Sequence, residues 1–133
     1  MLLSTGAKGA LDGGVINIYS GTPPATADAA VSGTLLVTIQ ASGGGIHFDT
    51  STSAPGVLSK APGETWSGTV GTGGLASYFR HVAASDTGAS STTQPRIQGT
   101  VATAGGDLNF GNTTLVATNV QTIDSYSIAL PTL

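Results

Sequence analysis

Residues 15–39, VINIYSGTPPATADAAVSGTLLVTI, place two short runs at strand spacing around a connector that cannot be regular structure. In Val15–Tyr19 and Leu35–Ile39 the apolar residues Ile16 and Ile18, and Leu35, Val37 and Ile39, recur at every second position. Each set therefore lines one face of an extended strand. Between the runs, Pro23 and Pro24 fix φ and remove two backbone donors. Residues 19–30 are expected to form a rigid loop, with its conformational freedom already reduced before any partner arrives.

The rest of the chain repeats this grammar. Glycine clusters at 43–45, 71–74 and 105–106 cut it into short β-patterned segments. Ile46–Asp49, Glu64–Val70, Leu75–Ala83, Ile97–Thr103, Asp107–Phe110, Thr113–Thr118 and Val120–Leu130 all read as strands. Two polar excursions, 50–63 and 85–93, are long for plain connections. Many short strands with glycine-rich turns argue for an all-β, antiparallel β-sandwich or barrel, the sandwich being the expectation, and the long connections favour Greek-key or jelly-roll wiring over a simple meander. Residues 1–13 read as a short N-terminal arm, with a helical face of Leu2, Leu3, Ala7, Ala10 and Leu11 weakened by Gly6 and Gly9. Residues 14–133 form the single sandwich domain, a size at which about two-thirds of the unfolded surface is buried.

Charge narrows the function. Charged residues make up 8% of the 133-residue chain, against about 25% in an ordinary soluble domain. Net charge is only −3 and the hydrophobic fraction is 39%, the reverse of the disordered signature. The surface is therefore mostly Ser, Thr, Gly, Asn and Gln, as suits a folded domain whose surface is largely committed to contacts or that lives outside a cell. The four basic residues, Lys8, Lys60, Arg80 and Arg96, are scattered, which leaves no footprint for nucleic acid and no polybasic membrane attachment. There are no cysteines, Met1-Leu2-Leu3 is too short for a signal-peptide core, and no apolar run approaches a membrane span. Assembly in a cytoplasm without export is the expectation.

No constellation points to catalysis, a cofactor or a metal. His47 and Asp49 share a strand face, but a metal site needs three or four ligands and His81 has no acidic neighbour nearer than Asp86. No Gly-x-Ser-x-Gly elbow occurs, and β-type segments rather than helices follow every glycine cluster, which makes them turns rather than phosphate loops. The run Asp107–Asn112 lacks the terminal Glu and the flanking helices of a calcium loop. Arg80 stands inside an apolar and aromatic strand, where it must pair, snorkel or meet a partner; a solvated edge position is the plain alternative. Trp66 and Tyr78 are expected in the core rather than as sugar-stacking platforms. Tyr19, Pro23, Pro24 and Arg80 are the candidate partner contacts.

Gly14-Val15-Ile16-Asn17-Ile18-Tyr19-Ser20-Gly21-Thr22-Pro23-Pro24, followed by Ala27-Asp28-Ala29-Ala30 and Gly33-Thr34-Leu35-Leu36, resembles a recurrent segment in small structural proteins of tailed bacteriophages. Ala76-Ser77-Tyr78-Phe79-Arg80 and the run Ile97–Val101 fall where such proteins carry a strand pair, so the resemblance covers residues 14–101. It is greatest to the jelly-roll cement, or decoration, proteins that bind the outside of phage capsids. That resemblance implies a non-enzymatic virion protein assembled in the host cytoplasm onto the outer capsid surface. Its partners would be the major capsid protein and copies of itself, as a homodimer or homotrimer. A tail or baseplate β-module binding a receptor or a carbohydrate is the alternative.

Overall fold

The computed structural model describes residues 13–41, 44–48, 57–61, 63–123 and 126–129. The N-terminal arm, up to residue 12, and Asp49 lie outside the described residues. The described residues form eleven strands: β1 (Val15–Tyr19), β2 (Leu35–Ala41), β3 (Val57–Ser59), β4 (Trp66–Thr69), β5 (Gly74–Leu75), β6 (Tyr78–Val82), β7 (Arg96–Ala102), β8 (Leu108–Asn109), β9 (Thr114–Leu115), β10 (Val120–Ile123) and β11 (Ser127–Ala129). Among the described residues there is no helix.

Seven strands form one curled sheet in the order β10-β4-β2-β1-β6-β7-β8. β11 with β3, and β5 with β9, make two small two-stranded sheets, giving the β-sandwich its unequal second layer. All pairs are antiparallel except β7 with β8, which run parallel and make the large sheet mixed. The connector of the opening segment thus joins two adjacent strands, and β1 sits between β2 and β6 at the sheet's centre.

Register explains which residues form the core. Ile16 stands opposite Ile39 on β2 and His81 on β6; Ile18 stands opposite Val37 and Phe79. Cross-strand neighbours share a face. One face therefore carries Ile16, Ile18, Val37, Ile39 and Phe79, all buried in a cluster with Ile46, Phe48, Trp66, Leu108, Phe110 and Tyr126. Aromatic contacts knit the layers together: Phe79 meets Tyr126 edge-on at 6.3 Å, and Trp66 lies 5.5 Å from Tyr126. His81 is enclosed in this core, with Nδ1 3.1 Å from the Tyr126 hydroxyl and its ring 5.5 Å from Phe48. Burial pushes the Tyr126 phenol pKa well above its usual range.

The opposite face of β1, β6 and β7 carries Asn17, Tyr19, Tyr78, Arg80, Arg96 and Gln98. A polar sheet face would ordinarily be solvated. Here every residue of β6 is buried: Phe79 and His81 lie in the core, and on the polar face the connector between β1 and β2 folds back over Tyr78 and Arg80. A β-bulge between Ile18 and Tyr19 starts that turn. Gly33 closes it with φ +77°, in a spot where a Cβ would lie 1.8 Å from the Ser20 carbonyl oxygen. Only glycine fits there.

Candidate functional site

The connector, residues 20–34, is a flap laid over the polar face of the sheet and tied to it through its own main chain. Four successive carbonyls, from Thr26 to Ala29, turn towards two guanidinium groups. Arg80 Nη2 donates to Ala29 O at 2.7 Å and Thr26 O at 3.4 Å. Arg96 Nη1 donates to Ala27 O at 3.0 Å and Asp28 O at 3.5 Å. Gln98 Nε2 donates to Pro24 O at 2.9 Å, while its Oε1 accepts from Arg80 Nε at 2.9 Å. At the far end the Tyr78 hydroxyl donates to Ser32 O and accepts from Ser32 N at 3.1 Å.

These donors reach the flap because of strand periodicity. Tyr78 and Arg80 are two apart on β6, Arg96 and Gln98 two apart on β7, and Arg80 stands directly opposite Gln98. A second connector, residues 83–95, supports the flap from the side. Val31 N donates to Gly88 O at 2.9 Å, and Ser91 N to Asp28 O at 2.8 Å. Asp86 anchors that connector by taking both Arg96 Nε at 2.7 Å and Nη2 at 2.8 Å, the bidentate geometry of a strong guanidinium–carboxylate pair. The side chains of Arg96 and Asp86 are 2% and 1% exposed. The Arg96 hydrogen bonds hold the Asp86 carboxyl below the usual carboxylate range, and Asp86 in turn raises the Arg96 pKa.

Among the described residues Arg80 has no such counter-ion. Its residue exposure is 1%, its donors meet only neutral acceptors, and Nη1 has no partner. Burial first, and repulsion from Arg96 second, lower its pKa. Arg80 is thus neither a solvated edge residue nor an open contact. It is a central-strand cation that positions the flap.

The four candidate contacts therefore converge on one place but divide by depth. Tyr19 is buried, its ring stacked on Tyr78 at 5.0 Å between centroids and 14° between planes; burial raises its phenol pKa. Pro24 is half-buried and contributes its carbonyl to Gln98. Pro23 faces solvent, together with Thr22, Ala25, Thr26, Asp28 and Ala30. The outer surface of the flap is small in side chain and carries one charge.

His47, considered with Asp49 from sequence, belongs to a second polar cluster. His47 Nδ1 lies 2.6 Å from Glu64 Oε2, and Glu64 Oε1 accepts from His47 N at 2.8 Å and from Trp66 Nε1 at 2.9 Å. Lys60 Nζ donates to the Glu64 carbonyl and stands 5.8 Å over the Trp66 ring. Burial raises the Glu64 pKa, but the hydrogen bonds from Trp66 and His47 outweigh it and leave the pKa lowered. Trp66 itself is fully buried, as is Tyr78. Among the described residues no group of three His, Cys, Asp or Glu side chains is placed to hold a metal ion. No helix among them is long and apolar enough to cross a membrane.

Comparison with protein-family models, curated proteins and solved structures finds no match to this chain.

Proposed function

We propose that this chain is a structural virion protein, a cement protein that sits on the outer surface of a tailed-phage head and staples neighbouring capsomers non-covalently. Its partners in this reading are the major capsid protein and further copies of itself, as a dimer or a trimer. The observation that carries the proposal is the flap. Its shape is fixed largely by hydrogen bonds to its carbonyls from Tyr78, Arg80, Arg96 and Gln98, so outward side chains such as Thr22, Ala25 and Ala30 take no part in those bonds.

A surface of this kind suits docking. It is ordered beforehand, which lowers the entropy lost on binding. It holds little charge, which lowers the desolvation cost of covering it. A contact of standard size buries about 1,600 Å² in total, and an oligomer bridging several capsomers gains further through effective concentration. The resemblance of residues 14–101 to phage cement proteins supplies the identity of the surface being docked. The carbohydrate-binding alternative lacks its platform, because the rings of Trp66 and Tyr78 are interior.

Copy number in the virion tests the proposal. A stoichiometry matching the major capsid protein, hundreds of copies per particle, is the expected result. A few to a few dozen copies would overturn it. Stripping the protein should also lower the temperature at which particles release DNA, and stripped particles as resistant as intact ones would refute the staple.

A further inference from the structure

We propose that the cleft between the two edges of the seven-stranded sheet binds an extended, uncharged segment of another polypeptide, which adds a strand between β8 and β10. This inference stands on the sheet alone and does not depend on the capsid reading. The sheet curls so that its edges line one cleft of about 300 Å³, with Leu108–Gly111 on one side and Gln121–Ile123 on the other. Among the described residues no strand pairs with the outer side of either edge.

Both walls present main-chain groups at strand spacing. On β10, Gln121 pairs with Gly68 and Ile123 with Trp66, while the neighbouring Asn119 O accepts from Val70 N at 2.8 Å. Antiparallel ladders alternate, so Val120 and Thr122 direct their N–H and C=O groups away from β4. The Thr122 carbonyl is met by Gln121 Nε2 at 3.0 Å. On β8, Phe110 N donates to Ala102 O at 2.9 Å, so Leu108 and Phe110 face β7 and the main chain of Asn109 and Gly111 points outward. The Asn109 side chain is engaged with Gly106 and does not cover its own backbone.

Shape and chemistry define the occupant. β8 runs with β7, whereas following the antiparallel pairs to β10 reverses it, so an inserted strand is antiparallel to one wall and parallel to the other. Walls three to four residues long span about 10–13 Å, enough to pair a segment of the same length. Leu108, Phe110 and Ile123 are buried beneath the cleft and no lining residue is ionisable. The lining that reaches the cleft is mostly polar but carries no charge, which favours small, uncharged side chains on the inserted strand. Such pairing is β-augmentation, in which main-chain bonds give the affinity. The described connectors of a second copy are poor occupants, because residues 20–34 and 83–95 are already tied to each other and to the sheet. A copy's segment in another copy's cleft would also be a head-to-tail contact that propagates into rings or filaments.

The test is a titration of isotope-labelled full-length protein with the pentapeptide acetyl-Thr-Val-Thr-Val-Thr-amide, followed by amide resonances. Saturable shifts are expected at Asn109, Gly111, Val120 and Thr122, with β1 and β6 unmoved. The same peptide N-methylated at both valines should bind at least about tenfold more weakly, since it lacks two donors. Thr122→Pro removes an outward donor, and Gly111→Leu places a side chain where a Cβ meets nothing within 4 Å; each should weaken binding. The second variant serves if the first fails to fold. Absent or scattered shifts, or equal binding of the N-methylated peptide, would overturn the proposal. So would self-association of the protein alone that Gly111→Leu abolishes, which would make the occupant a second copy.

Discussion

Neutralising Asp86 tests whether the flap and its supporting connector are held by a buried ion pair. Asp86→Asn keeps the side-chain shape and one acceptor for Gly88 N, which donates to Asp86 Oδ1 at 2.8 Å. It removes the charge from a pair whose side chains are 1% and 2% exposed, leaving the Arg96 guanidinium enclosed without a carboxylate. Breaking one partner of such a pair costs about 3–5 kcal/mol. The carbonyls of Ala27 at 3.0 Å and Ala89 at 2.5 Å still receive Arg96, so the lower end, about 3 kcal/mol, applies. At about 4 °C per kcal/mol for a chain this size, the melting temperature should fall by about 12 °C in a thermal melt at neutral pH. The effect has a pH signature. Asp86 has its pKa lowered in the folded state, so the unfolded chain binds that proton more tightly. The stabilisation is therefore complete above the unfolded value of about 3.9 and fades as pH falls through the folded value. Wild type and Asp86→Asn should converge in that acid range. A drop of under about 2 °C, the size expected of a solvated surface pair, would refute this account. So would a gap between the two proteins that stays constant into acid.

Three further perturbations address separate links. Arg80→Met keeps bulk but removes the donors to Thr26 O, Ala29 O and Gln98 Oε1; amide exchange at Val31 and Ser91 should accelerate at least about tenfold while β1 and β2 stay protected. Equal acceleration throughout would show Arg80 holding the whole sheet rather than the flap. Gly33→Ala should be far more damaging than Gly105→Ala, although both residues have φ +77°, because only at Gly33 does the added Cβ strike a carbonyl; denaturant melts should show about 1 kcal/mol lost at Gly105 and a multiple of that at Gly33. Glu64→Gln removes the carboxylate that accepts from Trp66 Nε1 and His47, so the acid-range change in Trp66 fluorescence should disappear; its persistence would locate the titrating group elsewhere.

The central strands were legible in the sequence because their apolar rows are local. Val15–Tyr19 is β1 as read, and β2 runs only two residues past the expected Ile39. The strand Val57–Ser59 was hidden inside a polar excursion, since its pairing with β11 lies some 70 residues away and three residues carry no period of their own. The segment Leu75–Ala83 read as one strand but divides at Ala76-Ser77, where Ala76 N turns to Thr113 O and Ser77 N to Tyr19 O. Arg80 was visible as an oddity, and its burial was not, because the cover comes from carbonyls more than 50 residues upstream. A signal did exist. Tyr78 and Arg80, with Arg96 and Gln98, alternate in step on two strands, an arrangement that suits a polar face meeting main chain better than water. Glu64 was missed as the partner of His47 because residues 17 apart meet only through the tertiary fold.

Burying two guanidiniums changes what the surface can recognise. Arg80 and Arg96 are half of the chain's four basic residues, and both face the flap rather than solvent. Lys60 is itself engaged with Glu64 and Trp66. A polyanionic partner would therefore meet almost no free cation among the described residues, and electrostatic steering would be weak. Under the proposed function, recognition would rest on shape and close main-chain approach, for which the flap is built in a particular way. Its inner side is held through carbonyls, which every residue type possesses, so outward side chains such as Thr22 and Ala25 can change without loosening it, whereas Ser32, whose hydroxyl donates to Thr22 O, cannot. On that proposal, substitution at Thr22 or Ala25 would alter what docks while the fold persists. Substitution at Arg80, Arg96 or Asp86 acts through the shape of the whole flap.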